Sequence, residues 1–221
     1  MLSIMSDEQC AMTRNLETAS SNLAPSTRCA AVCGIMSYGK LAGASGKKEH
    51  YMERRIYKQF RVEVKRQRLP NGRFVDIERV ARPNASAIIA LVKCKDGKKK
   101  IVMNWQYRPA ISKWVYEIPA GKVDPGETPK QAAIRELREE TGFIAKRVRL
   151  LGWHYPTPGY SSEKIYIYCA NCIMKGTQNP ERGEVLKNRL FTIAEVYKLI
   201  SRGLIRDGKT LVALFEYMMH S

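Results

Sequence analysis

Apolar and polar positions follow patterns that predict a series of β-strands through the middle of the chain. Residues 60–65 alternate with a period of two, which is typical of a strand with one buried face. Asn71-Gly72 then predicts a tight hairpin turn into a second alternating strand at residues 74–80. Residues 85–92 form an almost continuous apolar run, which predicts a buried strand. Further strands are predicted at residues 100–105, 114–118, 147–151 and 164–169.

The first helix is predicted by local capping signals. Thr128 suits the N-cap, Pro129 suits the first helical position, and Gln131 completes a capping box. Gly142 is suited to end the helix, because glycine adopts the left-handed conformation of a helix C-terminus readily. We therefore expect one helix of about four turns in the middle of the chain.

Two more helices are predicted near the C-terminus. Thr192 suits the cap of a helix over residues 194–202, and either Asp207 or Thr210 suits the cap of a final helix through Met219. Strands in the middle with helices between and after them predict an α/β fold with a mixed sheet covered on both faces.

The first 48 residues differ from the rest of the 221-residue chain. Residues 1–48 are rich in Ser, Thr, Ala, Met and Gly and show no sustained period, so we expect a disordered extension before a globular domain at 49–221. Its acidic residues Asp7, Glu8 and Glu17 argue against a mitochondrial transit peptide. No apolar run approaches the roughly 18 residues of a membrane span. We expect a cytoplasmic location, with mitochondrial or nuclear location as alternatives.

The net charge of +17 is unevenly distributed. Residues 1–46 contain three basic and three acidic residues, so the whole excess lies from Lys47 onward. A field of this sign attracts RNA, polyphosphorylated substrates or acidic lipids, although it also fits a solvated basic surface. Six cysteines are too few and too scattered for a disulfide framework, and Cys169 and Cys172 are expected to be buried free thiols.

Three carboxylates within five residues are the most informative chemistry in the chain. Glu136 and Glu140 are one helical turn apart and share a face, with Glu139 beside them. Such a cluster repels itself unless a cation binds to it. Oxygen ligands suit Mg²⁺ or Mn²⁺, and bound ions of this kind commonly handle phosphates.

The segment from residue 121 to residue 143 resembles the Nudix box, with its fixed spacing of glycine, glutamate and an Arg-Glu-aliphatic-any-Glu-Glu-any-Gly-apolar run. The resemblance implies an α/β/α sandwich, preceded here by a small N-terminal β-hairpin. It also implies hydrolysis of a nucleoside diphosphate derivative with Mg²⁺ as cofactor and Mn²⁺ as a substitute. The matching positions are Gly121, Glu127, Arg135, Glu136, Leu137, Glu139, Glu140, Gly142 and Phe143.

The flanking segments resemble the ADP-ribose pyrophosphatase branch of that family. Gln106-Tyr-Arg108 is similar to the segment in which this branch places a substrate-contacting arginine, and Pro158 lies sixteen residues beyond Gly142, as is typical there. The N-terminal hairpin resembles the small sheet through which this branch dimerises. The resemblance therefore implies a homodimer that cleaves a nucleotide sugar, ADP-ribose, to AMP and ribose 5-phosphate.

The resemblance also implies roles for individual residues. Glu136 and Glu140 would be metal ligands, Glu139 a further ligand or a water-orienting group, and the carbonyl of Ala120 a backbone ligand. Glu127 would pair with Arg135, and Gly121 and Gly142 would shape the box. The expected substrate contacts are Arg108 and, on weaker grounds, Arg79.

The general base has several candidates. Glu184 fits best, since a glutamate on a late loop often serves in this branch, and Glu181, Glu163 and Glu139 are its competitors. Arg138 departs from the branch, which often has an acid at this position. With the basic charge, this departure leaves two alternatives open: a pyrophosphatase acting on capped RNA or another large nucleotide conjugate, and a nucleotide- or RNA-binding Nudix module with little turnover.

Overall fold

The computed structural model describes residues 51–56, 60–174, 176–180 and 184–220, and the expected extension at 1–48 lies outside them. The strands are β1 (Tyr51–Ile56), β2 (Arg61–Arg68), β3 (Phe74–Ala81), β4 (Ala85–Lys93), β5 (Lys99–Arg108), β6 (Lys113–Glu117), β7 (Ala120–Lys122), β8 (Phe143–His154), β9 (Ile165–Met174) and β10 (Leu186–Phe191). The α-helices are α1 (Pro129–Thr141), α2 (Ile193–Ser201) and α3 (Gly208–Met219), and a 3₁₀ turn spans Pro109–Ile111.

The predicted N-terminal hairpin is confirmed as part of a separate three-stranded antiparallel sheet, β1-β2-β3. Its turn closes with Gly72 N donating to Leu69 O at 2.9 Å, and Gly72 has a φ of +84° that favours glycine. Strand β1 was not predicted. This sheet contacts the segment before β9, where Val80 N donates to Tyr160 O at 2.8 Å.

The larger sheet has seven strands in the order β10-β5-β4-β9-β8, with β6 paired to β5 and β7 paired to β4. Strands β4 and β9 run parallel and the other pairs are antiparallel, so the predicted mixed sheet is confirmed. The apolar run predicted as a buried strand is the central β4. Strands β7 and β10 were not predicted, since each is short and has no clear apolar alternation.

Helices cover both faces of this sheet. On one face Ile88 of β4 packs with Ala133 and Leu137 of α1. On the other face Ile89 packs in the cluster that also contains Leu214 of α3. Consecutive residues of β4 thus serve opposite cores, as the period of a strand requires. The α/β/α sandwich is therefore confirmed, and Cys169 and Cys172 are buried free thiols on β9.

The helix caps agree with the sequence. Thr128 and Gln131 form the predicted capping box of α1, and Gly142 ends that helix with a φ of +72°. Thr192 caps α2 in the same way. Of the two candidates for α3, Asp207 is the cap, since its side chain accepts from Thr210 N at 3.0 Å. None of the helices in the described part of the chain is long and apolar enough to cross a membrane.

Candidate active site

The carboxylates of α1 lie on the edge of the helix that faces β5 and β7. Glu140 is 2% exposed, whereas the side chains of Glu136 and Glu139 are 12% and 37% exposed. The α1 backbone places Glu136 and Glu140 one turn apart, as their spacing predicts. A gradient of burial therefore runs from Glu139 at the surface to Glu140 beneath the helix.

Arg135 binds most of the acidic groups around the turn that precedes α1. Its guanidinium donates to Glu127 at 3.0 Å, to Glu136 at 2.8 Å and to Glu139 at 3.1 Å. It also donates to the carbonyl of Lys122 at 3.0 Å. These bonds to several carboxylates raise the pKa of Arg135. Arg135 thereby ties the loop after β7 to the helix.

Gly121 lies directly against the Glu136 carboxylate. A Cβ added at Gly121 would approach all three carboxyl atoms of Glu136 to within 3.0 Å, closer than real side chains allow. Glycine at this position therefore leaves room for the Glu136 carboxylate in its observed position against the backbone of β7.

Glu140 is held by three strands of the sheet, β5, β7 and β10. Its Oε2 accepts from Asn104 Nδ2 at 2.8 Å and from the backbone N of Ala120 at 3.2 Å. Its backbone carbonyl accepts from Asn188 Nδ2 at 3.0 Å. Ala120, expected as a backbone ligand through its carbonyl, thus lies next to the most buried carboxylate of the box.

Burial raises the pKa of both inward-facing glutamates. Desolvation raises the pKa of Glu136 to about 7 and that of Glu140 to about 8. The negative charge of Glu184 adds to both shifts, although Glu184 lies 44 residues beyond Glu140 in the chain. The positive charge of Lys209 lowers the pKa of Glu140 but does not offset these effects.

The other candidate bases differ in their surroundings. Glu163 is 7% exposed and lies 3.5 Å from Arg82, and burial raises its pKa. Glu139 is bound by Arg135 at 3.1 Å. Glu181 lies outside the described residues. Among the described candidates, Glu184 alone contributes to the pKa shifts of both inward-facing box glutamates.

The two candidate substrate arginines each pair with a buried glutamate. Arg108 donates from Nε and Nη2 to Glu117 at 2.7 and 2.6 Å, and Lys209 of α3 binds the same carboxylate. Burial alone would raise the pKa of Glu117, but the Arg108 hydrogen bond and the Lys209 charge bring it below its usual value. Arg79 of β3 donates to Glu63 at 2.8 Å, within the three-stranded sheet.

The donor set fits a divalent cation, although no three acidic residues converge into a ligand group within the described part of the chain. Arg135 holds Glu136 and Glu139 in this arrangement. Glu140 keeps Oε1 without a hydrogen bond from the described residues, because both of its bonds fall on Oε2. Clustered oxygen donors with raised pKa values suit a hard cation, which would stabilise their charged forms.

Several contacts of the site escaped prediction. Asn104, Asn188, Glu117 and Lys209 surround the expected residues from β5, β10, β6 and α3. The available signal was a polar residue inside a buried strand, as with Asn104 between Met103 and Trp105. A buried polar side chain needs a partner, but the sequence does not say which one.

Comparison with known proteins shows the family of this chain. Residues 83–213 match the family model of the NUDIX domain. The ADP-ribose pyrophosphatase of Bacillus subtilis (strain 168) is 32% identical over 148 residues, which cover 66% of this chain and 78% of the relative. The methanol dehydrogenase activator of Bacillus methanolicus is 37% identical over 152 residues, with the same coverage of 66% and 78%.

A solved structure shows the same fold. The crystal structure of an ADP compounds hydrolase superposes with a TM-score of 0.63 at 24% identity, covering 80% of this chain and 96% of its own. The chain belongs to the Nudix family. It is a Nudix hydrolase similar to ADP-ribose pyrophosphatases, as the sequence predicts.

Proposed function

We propose that this protein hydrolyses the pyrophosphate bond of ADP-ribose in an Mg²⁺-dependent reaction. The observation that carries the proposal is the buried Glu140 carboxylate beside Glu136, with Oε2 held by Asn104 and Ala120 and Oε1 without a hydrogen bond from the described residues. Similarity to the Bacillus subtilis ADP-ribose pyrophosphatase supports this choice of substrate.

Glu136 and Glu140 would hold the cation, together with Glu139 and the carbonyl of Ala120. Mg²⁺, or Mn²⁺ in its place, would neutralise the diphosphate and activate water when bound. To reach the cation, the Glu139 carboxylate would leave its ion pair with Arg135, which is observed here at 3.1 Å. The proposal therefore requires a modest movement of one exposed carboxylate and leaves the buried Glu140 in place.

Glu184 would accept the proton of the attacking water. The water oxygen then bonds to one phosphorus, and the bridging P–O bond breaks to release AMP and ribose 5-phosphate. Arg108 would contact the diphosphate or adenosine end of the substrate. Its Nη1 makes no hydrogen bond in the described part of the chain, because Glu117 occupies only Nε and Nη2. Arg79 is proposed as a second, weaker contact.

A second candidate substrate is capped RNA or another large nucleotide conjugate. The +17 net charge favours it, because basic residues would bind the phosphates of a longer chain. A homodimer formed through the three-stranded sheet remains a proposal that applies to either substrate.

The test is turnover of ADP-ribose, other nucleoside diphosphate sugars and a 5′-capped RNA with Mg²⁺, with Glu140→Gln as the matched control. Cleavage of ADP-ribose to AMP, abolished in Glu140→Gln, is the expected result. Preference for capped RNA with steep salt dependence would change the proposed substrate but leave the proposed metal site unchanged. No turnover of any substrate would overturn the proposal in favour of a binding module.

A further inference from the structure

Two asparagines face each other across strands β5 and β10 beneath the Nudix helix. Asn104 and Asn188 are directly paired in the register of the two strands. Asn104 is 1% exposed. Both side chains turn their NH₂ groups towards Glu140, Asn104 reaching the carboxylate at 2.8 Å and Asn188 reaching the backbone carbonyl at 3.0 Å.

The amide oxygens of the same two asparagines are buried without a hydrogen bond in the described part of the chain. An unpaired buried carbonyl of this kind destabilises the folded state. Two apolar residues at this cross-strand position would avoid that cost, but Glu140 would lose the hydrogen bonds of both asparagines. Each asparagine leaves its amide oxygen unpaired while its NH₂ group donates to Glu140, and this shared contact is their common feature.

The contacts orient the Glu140 carboxylate. Oε2 accepts from Asn104 at 2.8 Å and from the Ala120 backbone at 3.2 Å, so one oxygen is occupied by the protein. Oε1 accepts no hydrogen bond from the described residues and is left for another ligand. A carboxylate held by one oxygen presents the other in a fixed direction, which is how hydrogen-bonded partners commonly orient metal ligands.

Asn188 acts on the backbone that carries Glu140. Its NH₂ group donates to the Glu140 carbonyl and to Gln178 Oε1, both at 3.0 Å. Asn188 also lies four residues beyond Glu184 in the same segment. One side chain thus ties the last turn of α1 to the segment that carries the proposed base.

We propose that Asn104 and Asn188 form a cross-strand pair that positions Glu140 as a cation ligand, Asn104 through its carboxylate and Asn188 through the last turn of α1. The inference rests on the proposed metal-binding role of Glu140. It assigns both asparagines as positioning residues, since neither needs to touch substrate or cation.

The test measures Mn²⁺ binding by the full chain, from the loss of the free-ion electron paramagnetic resonance signal, together with melting temperature in chelator. Asn104→Leu is expected to raise the Kd for Mn²⁺ about 10-fold or more, as loss of such a partner typically does. Its melting temperature in chelator is expected to change little, because loss of the unpaired Asn104 amide oxygen offsets loss of the hydrogen bond to Glu140. Asn188→Leu should raise the Kd for Mn²⁺ less than Asn104→Leu does. It should lower kcat by a larger factor than it changes KM.

Asn171→Leu, at an exposed position of β9, is the matched control and should bind Mn²⁺ like the wild type. Asn104→Val carries the same comparison if leucine does not fit the strand. A Kd changed less than about threefold, or weaker binding accompanied by a lower melting temperature in chelator, would overturn the inference. Wild-type chain that binds no Mn²⁺ would overturn the proposed metal site itself, whereas Mn²⁺ binding lost only in Glu140→Gln would overturn the asparagine pair alone.

Discussion

The carboxylate of Glu136 contacts Gly121 at the position where any other residue would carry its Cβ. A Cβ there would lie within 3.0 Å of the Glu136 carboxylate. The obstructing group is the far end of a flexible side chain, so substitution would displace the carboxylate without displacing the backbone. A substitution at Gly121 would therefore move Glu136, a proposed metal ligand, without lowering the stability of the fold.

We predict that Gly121→Ala lowers kcat/KM for ADP-ribose at least about 100-fold, because misplacement of a catalytic group by about 1 Å has effects of this size. Melting temperature should change little. Steady-state kinetics and thermal denaturation check the result. Gly208→Ala is the control, since a Cβ there meets nothing within 4 Å. Near-normal activity in Gly121→Ala would show that the Glu136 carboxylate need not occupy its observed position.

The raised pKa values of Glu136 and Glu140 predict how stability depends on pH. Without a cation, the folded state holds protons on these groups up to about pH 7 and 8, whereas the unfolded chain releases them near pH 4.5. The stability associated with these groups is therefore present below pH 4.5 and is lost as pH rises towards 8. In chelator, melting temperature should fall between pH 5 and pH 8.

Glu140→Gln should flatten that pH dependence, because it removes the group with the larger shift. Mg²⁺ should raise the wild-type melting temperature more at pH 8 than at pH 6, since at pH 6 the cation must displace protons. Thermal melts at both pH values with and without Mg²⁺ check both expectations. An identical pH slope in wild type and variant would contradict the assignment of the slope to Glu140.

Substitution by glutamine distinguishes Glu184 from Glu163 as the general base. Glu184→Gln is expected to lower kcat about 10²–10⁴-fold with little change in KM, the usual effect of losing a general base. Glu163→Gln should lower kcat less than tenfold, because Glu163 pairs with Arg82 at 3.5 Å. Rates with saturating ADP-ribose across pH decide the matter. The reverse order of effects would transfer the role of base to Glu163.

Lys209 is predicted to stabilise the fold through Glu117. Glu117 is 2% exposed and is bound by both Lys209 and Arg108, so Lys209→Met would leave its charge with one partner. We expect a loss of about 1–3 kcal/mol in the free energy of unfolding, as for a partly unpaired buried group. Urea denaturation measures it. Lys198→Met on α2 is the control, and equal effects of the two variants would remove any special role for Lys209.

Local features of the fold were predictable because they depend on neighbours in sequence. The capping box of Thr128 and Gln131 and the left-handed Gly142 involve residues three or four positions from their partners. The hairpin at Gly72 has the same local origin. Strands β7 and β10 escaped prediction because each is short and lacks apolar alternation, so that only pairing with β4 and β5 defines them.

The sequence by itself determined the box helix, its acidic edge and the family, because a helix of fixed pitch places Glu136 and Glu140 one turn apart whatever surrounds them. Only the tertiary structure decided which side chains complete the site. Asn104 meets Glu140 across 36 residues, and Lys209 meets Glu117 across 92. Such contacts depend on strand order and burial, which also raise the pKa of Glu140, and these arise only when the whole sheet has assembled.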